Sequence, residues 1–270
     1  MPAVPAASAA EAVVLGLIQG LTEFLPVSSS GHLVLAQSVM DVHGDDVFFD
    51  LLLHLGTLLP VLWFYRVDVR GVVVDPVRGQ GPFWSRPGVR TALLVVLASI
   101  PTGIIGIALE DTFEALFANP GALSVTFLIT ASLLVSTAFA RPATTDLSTM
   151  RPWQALVIGL AQGIAITPGI SRSGTTIAVA LLLGLKREDA ARFSFLLSIP
   201  AILGALVLKA DEASIGDLGF AAVGAGFLTS MVTGIFALTF LVGIVKRGGF
   251  PWFAPWCVLA SATAAWVAWG

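Results

Sequence analysis

The sequence predicts an all-α integral membrane protein of six spanning helices plus two re-entrant helical hairpins, arranged as an inverted-topology repeat in one domain over residues 1–270. Three observations predict this. Hydrophobic residues make up 56% of the chain and charged residues 11%, a balance that no soluble domain of this length needs to fill its core. Basic and acidic connections alternate along the chain, as they do when Lys and Arg collect on the cytoplasmic side. A polar motif near the start of the chain also recurs once in its second half.

Taken in order, residues 1–20 carry no Lys or Arg ahead of their apolar run, and Gln19 and Glu23 follow closely, so the start is expected to stay in the mature protein and not act as a cleaved signal. The segment Ala12–Met40 is broken by Pro26 and the serines after it, and cannot be one helix. Spans are predicted at Val47–Tyr65, Thr91–Leu109, Gly121–Ala140, Ala190–Leu208, Phe220–Val245 and Pro251–Trp269, each long enough to cross a hydrocarbon core. The segment Trp153–Leu185 is broken like the first, by Pro168 and Gly169.

Loop charge assigns the sides. The connection Arg66–Arg90 holds Arg66, Arg70, Arg78, Arg86 and Arg90 and reads as inside, whereas Glu110, Asp111 and Glu114 read as outside. Arg141 and Arg151 then read as inside, Lys186, Arg187 and Arg192 as inside, Asp211–Asp217 as outside, and Lys246 and Arg247 as inside. On this alternation Ala12–Met40 starts and ends outside, closing on the acidic loop Asp41–Asp46, while Trp153–Leu185 starts and ends inside. Both are therefore read as hairpins that dip in from opposite faces, with tips near the bilayer midplane. Gln19–Gly31 lies over Gln162–Gly174 with Gln19/Gln162, Gly20/Gly163, Ser28/Ser171, Ser30/Ser173 and Gly31/Gly174 matched, giving repeats at approximately 11–140 and 153–269.

Other classes are excluded by composition. A net charge of -3, with 14 basic residues scattered among loops, gives no nucleic-acid footprint. The single cysteine, Cys257, in an apolar stretch, rules out an internal disulfide and a cysteine zinc site and reads as a core residue. Trp63, Trp153, Trp252 and Trp269, near span ends, read as interfacial anchors. His54 reads as a hydrogen-bonded lining residue and His43 as solvated.

The chemistry collects at the two tips. Pro26 before Ser28, Ser29 and Ser30, and Pro168-Gly169 before Ser171, Arg172 and Ser173, both pattern as a helix break followed by a new N-cap. Two helix N-termini with free N–H donors suit an anion, above all a phosphate. Glu23, His32 and Arg172 are ionisable groups inside the hairpins, where a charge costs roughly 2.5–3.5 kcal/mol on insertion scales and needs a partner or a function. Arg172 can grip phosphate oxygens as a planar fork, and His32 can shuttle a proton or attack as a nucleophile. Gln19 and Glu23, four apart on one helical face, can hold a metal ion or orient His32. A plain ion pair between Glu23 and Arg172, with serines that merely cap helices, is the structural alternative.

The strings QGLTEFLPVSSSGHL and PGISRSGTTI closely resemble the two signature motifs of the bacitracin-resistance family, the undecaprenyl-diphosphate phosphatases. The first motif falls on Gln19, Glu23, Pro26, Ser28, Ser29, Gly31 and His32, the second on Pro168, Gly169, Ser171, Arg172, Ser173, Gly174 and Thr176. Gln19 stands where many members have Glu. The resemblance implies a membrane-bound hydrolase of the bacterial cell (inner) membrane. It would release the terminal phosphate of undecaprenyl diphosphate with a divalent metal, Mg2+ or Ca2+, recycle the carrier lipid for peptidoglycan synthesis and reduce sensitivity to bacitracin. Glu23, Ser29, His32 and Arg172 are then the expected catalytic set. Ser28, Ser30, Gly31, Ser171, Ser173 and Thr176, with Arg172, are expected to bind substrate, and Glu23 and Gln19 to hold the metal. Ser29 activated by His32 is the expected nucleophile, ahead of His32 itself and of water. Because inverted repeats with broken helices also build secondary transporters, a transporter or flippase for an anionic or polyprenyl-phosphate substrate stands as the alternative.

Overall fold

A computed structural model of the chain describes residues 8–40, 47–83, 86–140, 143–209 and 219–270. The acidic loop Asp41–Asp46 with His43, the acidic stretch Asp211–Asp217 and Arg141 lie outside the described residues. The described residues form helices α1 (Ala9–Phe24), α2 (Ser29–Met40), α3 (Val47–Phe64), α4 (Arg66–Arg78), α5 (Pro87–Ala108), α6 (Glu110–Phe117), α7 (Pro120–Ser136), α8 (Pro152–Ile164), α9 (Arg172–Leu182), α10 (Arg187–Leu208), α11 (Phe220–Arg247) and α12 (Ala254–Trp269). Among these residues five helical stretches are long and apolar enough to cross a membrane: Pro87–Ala108, Pro120–Phe139, Arg187–Leu208, Phe220–Arg247 and Phe250–Trp269. A sixth is reached when α3 and α4, bent by 79° at Tyr65, count as one broken span.

Local chemistry sets the helix ends. Ser8 caps α1 in a reciprocal box with Glu11, and Asn119 caps α7 ahead of Pro120. The run read as a loop, Arg66–Arg90, contains helix α4, and the acidic connection after Leu109 contains α6. On α4 Val67, Val73 and Val77 face outward between Arg66, Arg70 and Arg78.

Packing is closest where small residues let backbones touch. Helix α1 lies on α11, where a Cβ added to Gly20 would sit 2.6 Å from the Ser230 carbonyl. Helix α8 lies on α5, with Gly159 against the Ala98 backbone. Helix α7 lies on α12, and α3 touches both α10 and α11. The largest buried cluster joins Phe24 and Val27 of the first broken pair to Ile177, Phe193, Leu197 and Cys257, so the core lies directly beneath the two breaks.

Candidate active site

Each break is built by residues that cannot continue a helix. Helix α1 ends at Phe24 because Pro26 follows, and the chain re-enters α2 through Ser28 at φ +69°. That left-handed backbone costs a residue with a Cβ on the order of 1 kcal/mol or more. The Ser28 hydroxyl accepts from the Gly31 amide at 3.3 Å, capping α2, and lies 3.3 Å from the Ser30 hydroxyl. At the second break Gly169 takes φ +85°, and the Ser171 hydroxyl caps α9 by accepting from the Gly174 amide at 3.0 Å.

The two breaks touch. A Cβ on Gly31 would lie 2.9 Å from the Cα of Gly169, so glycine is required there for close approach. The Ser173 hydroxyl donates to the Leu25 carbonyl at 3.4 Å. Thr130 of α7 fastens the second break from outside, donating to the Gly169 carbonyl at 2.8 Å and accepting from the Ser171 amide at 3.1 Å. Thr130→Val keeps the shape and orphans both buried backbone groups, so the melting temperature in detergent is expected to fall by the equivalent of about 2 kcal/mol.

Between the breaks Glu23, on the last turn of α1, pairs with Arg172, the first residue of α9. One Glu23 oxygen takes the guanidinium; the other accepts from the Ser29 hydroxyl at 2.6 Å and from Gln19 Nε2 at 3.0 Å. His54 of α3 places its Nε2 3.6 Å from the same oxygen while its Nδ1 donates to the Asp50 carbonyl at 2.7 Å. The Glu23 side chain is 4% exposed and that of Arg172 23%, so the pair is sheltered at its acidic end and reachable at its basic end. Glu23, Phe24, Val61, Arg172, Ser173, Ser194, Phe195, Ser198 and Ile202 line a narrow cleft beside the pair.

The match to known proteins covers the same ground. The family described as bacitracin resistance protein BacA matches residues 12–263. This chain belongs to that family. Similar BacA proteins, each named undecaprenyl-diphosphatase, come from three distant organisms. That of Desulfatibacillum aliphaticivorans is 44% identical over 94% of this chain and 96% of its own. Those of Carboxydothermus hydrogenoformans and Methanobrevibacter smithii are 41% identical over 90% and 91%, and 40% identical over 92% and 93%. As in any BacA protein, the apolar helices make the chain an integral membrane protein.

Placed in this BacA fold, the residues singled out from sequence divide into two groups. Gln19, Glu23, Ser29 and Arg172 form one connected cluster. Ser28, Ser30, Gly31, Ser171 and Ser173 build the two turns around it. Thr176 is fully buried, donating to the Arg172 carbonyl at 2.8 Å and meeting the Ser194 hydroxyl of α10. The expected Ser29–His32 contact is absent among the described hydrogen bonds. Ser29 bonds to Glu23, whereas His32 Nδ1 donates to the Ser28 carbonyl at 2.8 Å and Nε2 accepts from the Trp256 indole at 3.0 Å. The reason is geometric: Ser29 opens α2 and turns back toward α1, while His32 lies one turn on and faces α12. Sequence reasoning passed over Trp256, Thr130 and Ser194, which reach the breaks from distant helices.

A metal ion implied by the family finds a partial set of ligands here. Among the described residues no group of three His, Cys, Asp or Glu gathers in one place. The buried Gln19 Oε1, however, has no hydrogen-bond partner and belongs to the residue whose amide nitrogen touches Glu23. Hard oxygens of this kind suit Mg2+ or Ca2+ when substrate phosphate and water complete the shell.

Proposed function

We propose that this chain hydrolyses undecaprenyl diphosphate to undecaprenyl phosphate and inorganic phosphate, as the names of its relatives state for them. In doing so it returns the carrier lipid to peptidoglycan synthesis and removes the diphosphate form that bacitracin sequesters. The observation that carries the reading is a serine hydroxyl bonded to a sheltered carboxylate, beside a guanidinium whose one described hydrogen bond leaves the rest of its fork open to the cleft.

The residues divide the work. Arg172 and the free N–H groups at the start of α9 hold the terminal phosphate, with Ser173 beside them. Ser29 Oγ attacks the terminal phosphorus while its proton passes to Glu23 Oε2; the bond from phosphorus to the bridging oxygen breaks, and undecaprenyl phosphate leaves. The departing undecaprenyl phosphate carries off the proton held on Glu23; water then attacks the phosphoserine, giving its proton to the freed carboxylate, and Glu23 returns it to Ser29 Oγ as inorganic phosphate departs. Glu23 and the Gln19 amide oxygen would hold Mg2+ or Ca2+, which supplies charge neutralisation on the phosphate oxygens. Phe24, Val61, Phe195 and Ile202 form the apolar side of the narrow cleft next to Arg172.

The membrane arrangement belongs to the same proposal. The pairs α1–α2 and α8–α9 are re-entrant hairpins, and α3, α5, α7, α10, α11 and α12 are the six spans. The exchange of partners supports an inverted repeat: α1 packs on α11 as α8 packs on α5, and α7 packs on α12. The enzyme sits in the bacterial inner membrane with its site open to the external face.

The test uses purified full-length protein in detergent, with Mg2+ or Ca2+ and undecaprenyl diphosphate labelled at its terminal phosphate. Released phosphate, and label trapped on Ser29 after an acid quench, support the reading. Movement of the lipid across liposomes without hydrolysis would make the chain a transporter instead, and label on His32 would move the nucleophile.

A further inference from the structure

His32 and Trp256 are left without a task by that chemistry, yet both ring nitrogens of His32 are hydrogen-bonded. A carbonyl oxygen can only accept and an indole N–H can only donate. The bond from His32 Nδ1 to the Ser28 carbonyl, 2.8 Å, therefore places a proton on Nδ1, and the bond from Trp256 Nε1 to His32 Nε2, 3.0 Å, requires a lone pair on Nε2. Both nitrogens are occupied, and the ring is fixed as one neutral tautomer. The Trp256 ring lies 10° from parallel with its centroid 6.2 Å away, and the Phe127 ring packs at 82° with its centroid at 5.3 Å.

What the ring holds in place is Ser28. Its carbonyl takes two donors from His32, the backbone N–H at 3.2 Å and Nδ1–H at 2.8 Å. Its φ of +69° is the one left-handed non-glycine backbone among the described residues. Such a conformation persists where the surroundings over-determine it. One residue further on, the Ser29 hydroxyl meets Glu23. Helix α12 touches the turn on its other side too, since the Cys257 thiol, next to Trp256, lies 3.7 Å from the Pro26 carbonyl.

We propose that Trp256 and His32 form a positioning relay that locks the left-handed turn at Ser28 and so aims the Ser29 hydroxyl at Glu23. In this relay His32 acts through two fixed hydrogen bonds and carries no proton in the reaction. The activity arm of the proposal rests on the hydrolase reading above; the spectroscopic arm does not.

In 15N-labelled protein without substrate, His32 is expected as a single neutral tautomer protonated at Nδ1. Trp256→Phe keeps an aromatic ring and removes the N–H, so it should move the Nε2 resonance and leave the Nδ1–H in place. In the hydrolysis assay His32→Asn, whose amide N–H can replace Nδ1–H but which is neither base nor nucleophile, should keep turnover within about tenfold of the parent. His32→Ala should lose about a hundredfold, in kcat and not in KM, as expected when a reacting atom is misplaced. Trp256→Phe should cost about tenfold alone and nothing further on top of His32→Asn.

The proposal is overturned by a mixed or Nε2-protonated His32 spectrum, by His32→Asn as inactive as His32→Ala with its melting temperature intact, or by fully additive losses in the double variant. If the parent protein releases no phosphate, the hydrolase reading fails and the spectrum alone judges the relay.

Discussion

Arg172→Ala is expected to lower phosphate release from undecaprenyl diphosphate by about 10³-fold, the size of effect seen when one preorganised donor is withdrawn from a developing oxyanion. The same change leaves Glu23 buried without its cation, which should cost about 3–5 kcal/mol of stability. A second variant separates the two effects. Arg172→Lys keeps a positive charge near Glu23 but loses the planar fork, so it should recover most of the melting temperature and little of the rate. Phosphate release and thermal unfolding in detergent measure both. Near-normal turnover in Arg172→Ala would remove the phosphate clamp from the mechanism.

Glu23→Gln is expected to slow the reaction by about 10²–10⁴-fold, the usual contribution of a positioned general base. The amide has nearly the carboxylate's shape and can still accept from Ser29, so the Ser29 contact survives while the proton acceptor is lost. The substitution also unpairs Arg172, making the basic end of the cleft more available to an anion. The loss should therefore fall on kcat, with KM unchanged or lower. A rise in KM at constant kcat would assign Glu23 to binding instead.

Much of this site is legible in the sequence because its parts are local. Pro26 and Pro168-Gly169, each followed by a serine cluster, mark breaks, serines after a break cap the next helix, and Glu23 and Arg172 are too costly in lipid to be idle. The recurring motif places both breaks in one frame, and the six predicted spans match helices that end within a few residues of them. What stayed hidden depends on neighbours far along the chain. Trp256 on α12 has the sequence profile of an interfacial anchor, and its bond to His32 exists only once α12 has packed on α7. Thr130 is an ordinary polar residue in an apolar span until the Gly169 turn arrives beside it. The expected Ser29–His32 contact is not among the described hydrogen bonds, because each side chain takes another partner. Ser29 and His32 share one turn of α2, but the Ser29 hydroxyl goes to Glu23 and the His32 ring to the Ser28 carbonyl and Trp256.

The glycine seams between α1 and α11 and between α5 and α8 carry a consequence for how a long hydrocarbon guest arrives. At Gly20 and Gly159 the backbones lie so near that one extra methyl group would collide, and no isoprenoid can thread between helices that close. Those two seams are closed to the lipid, so its way to Arg172 lies along another flank of the bundle.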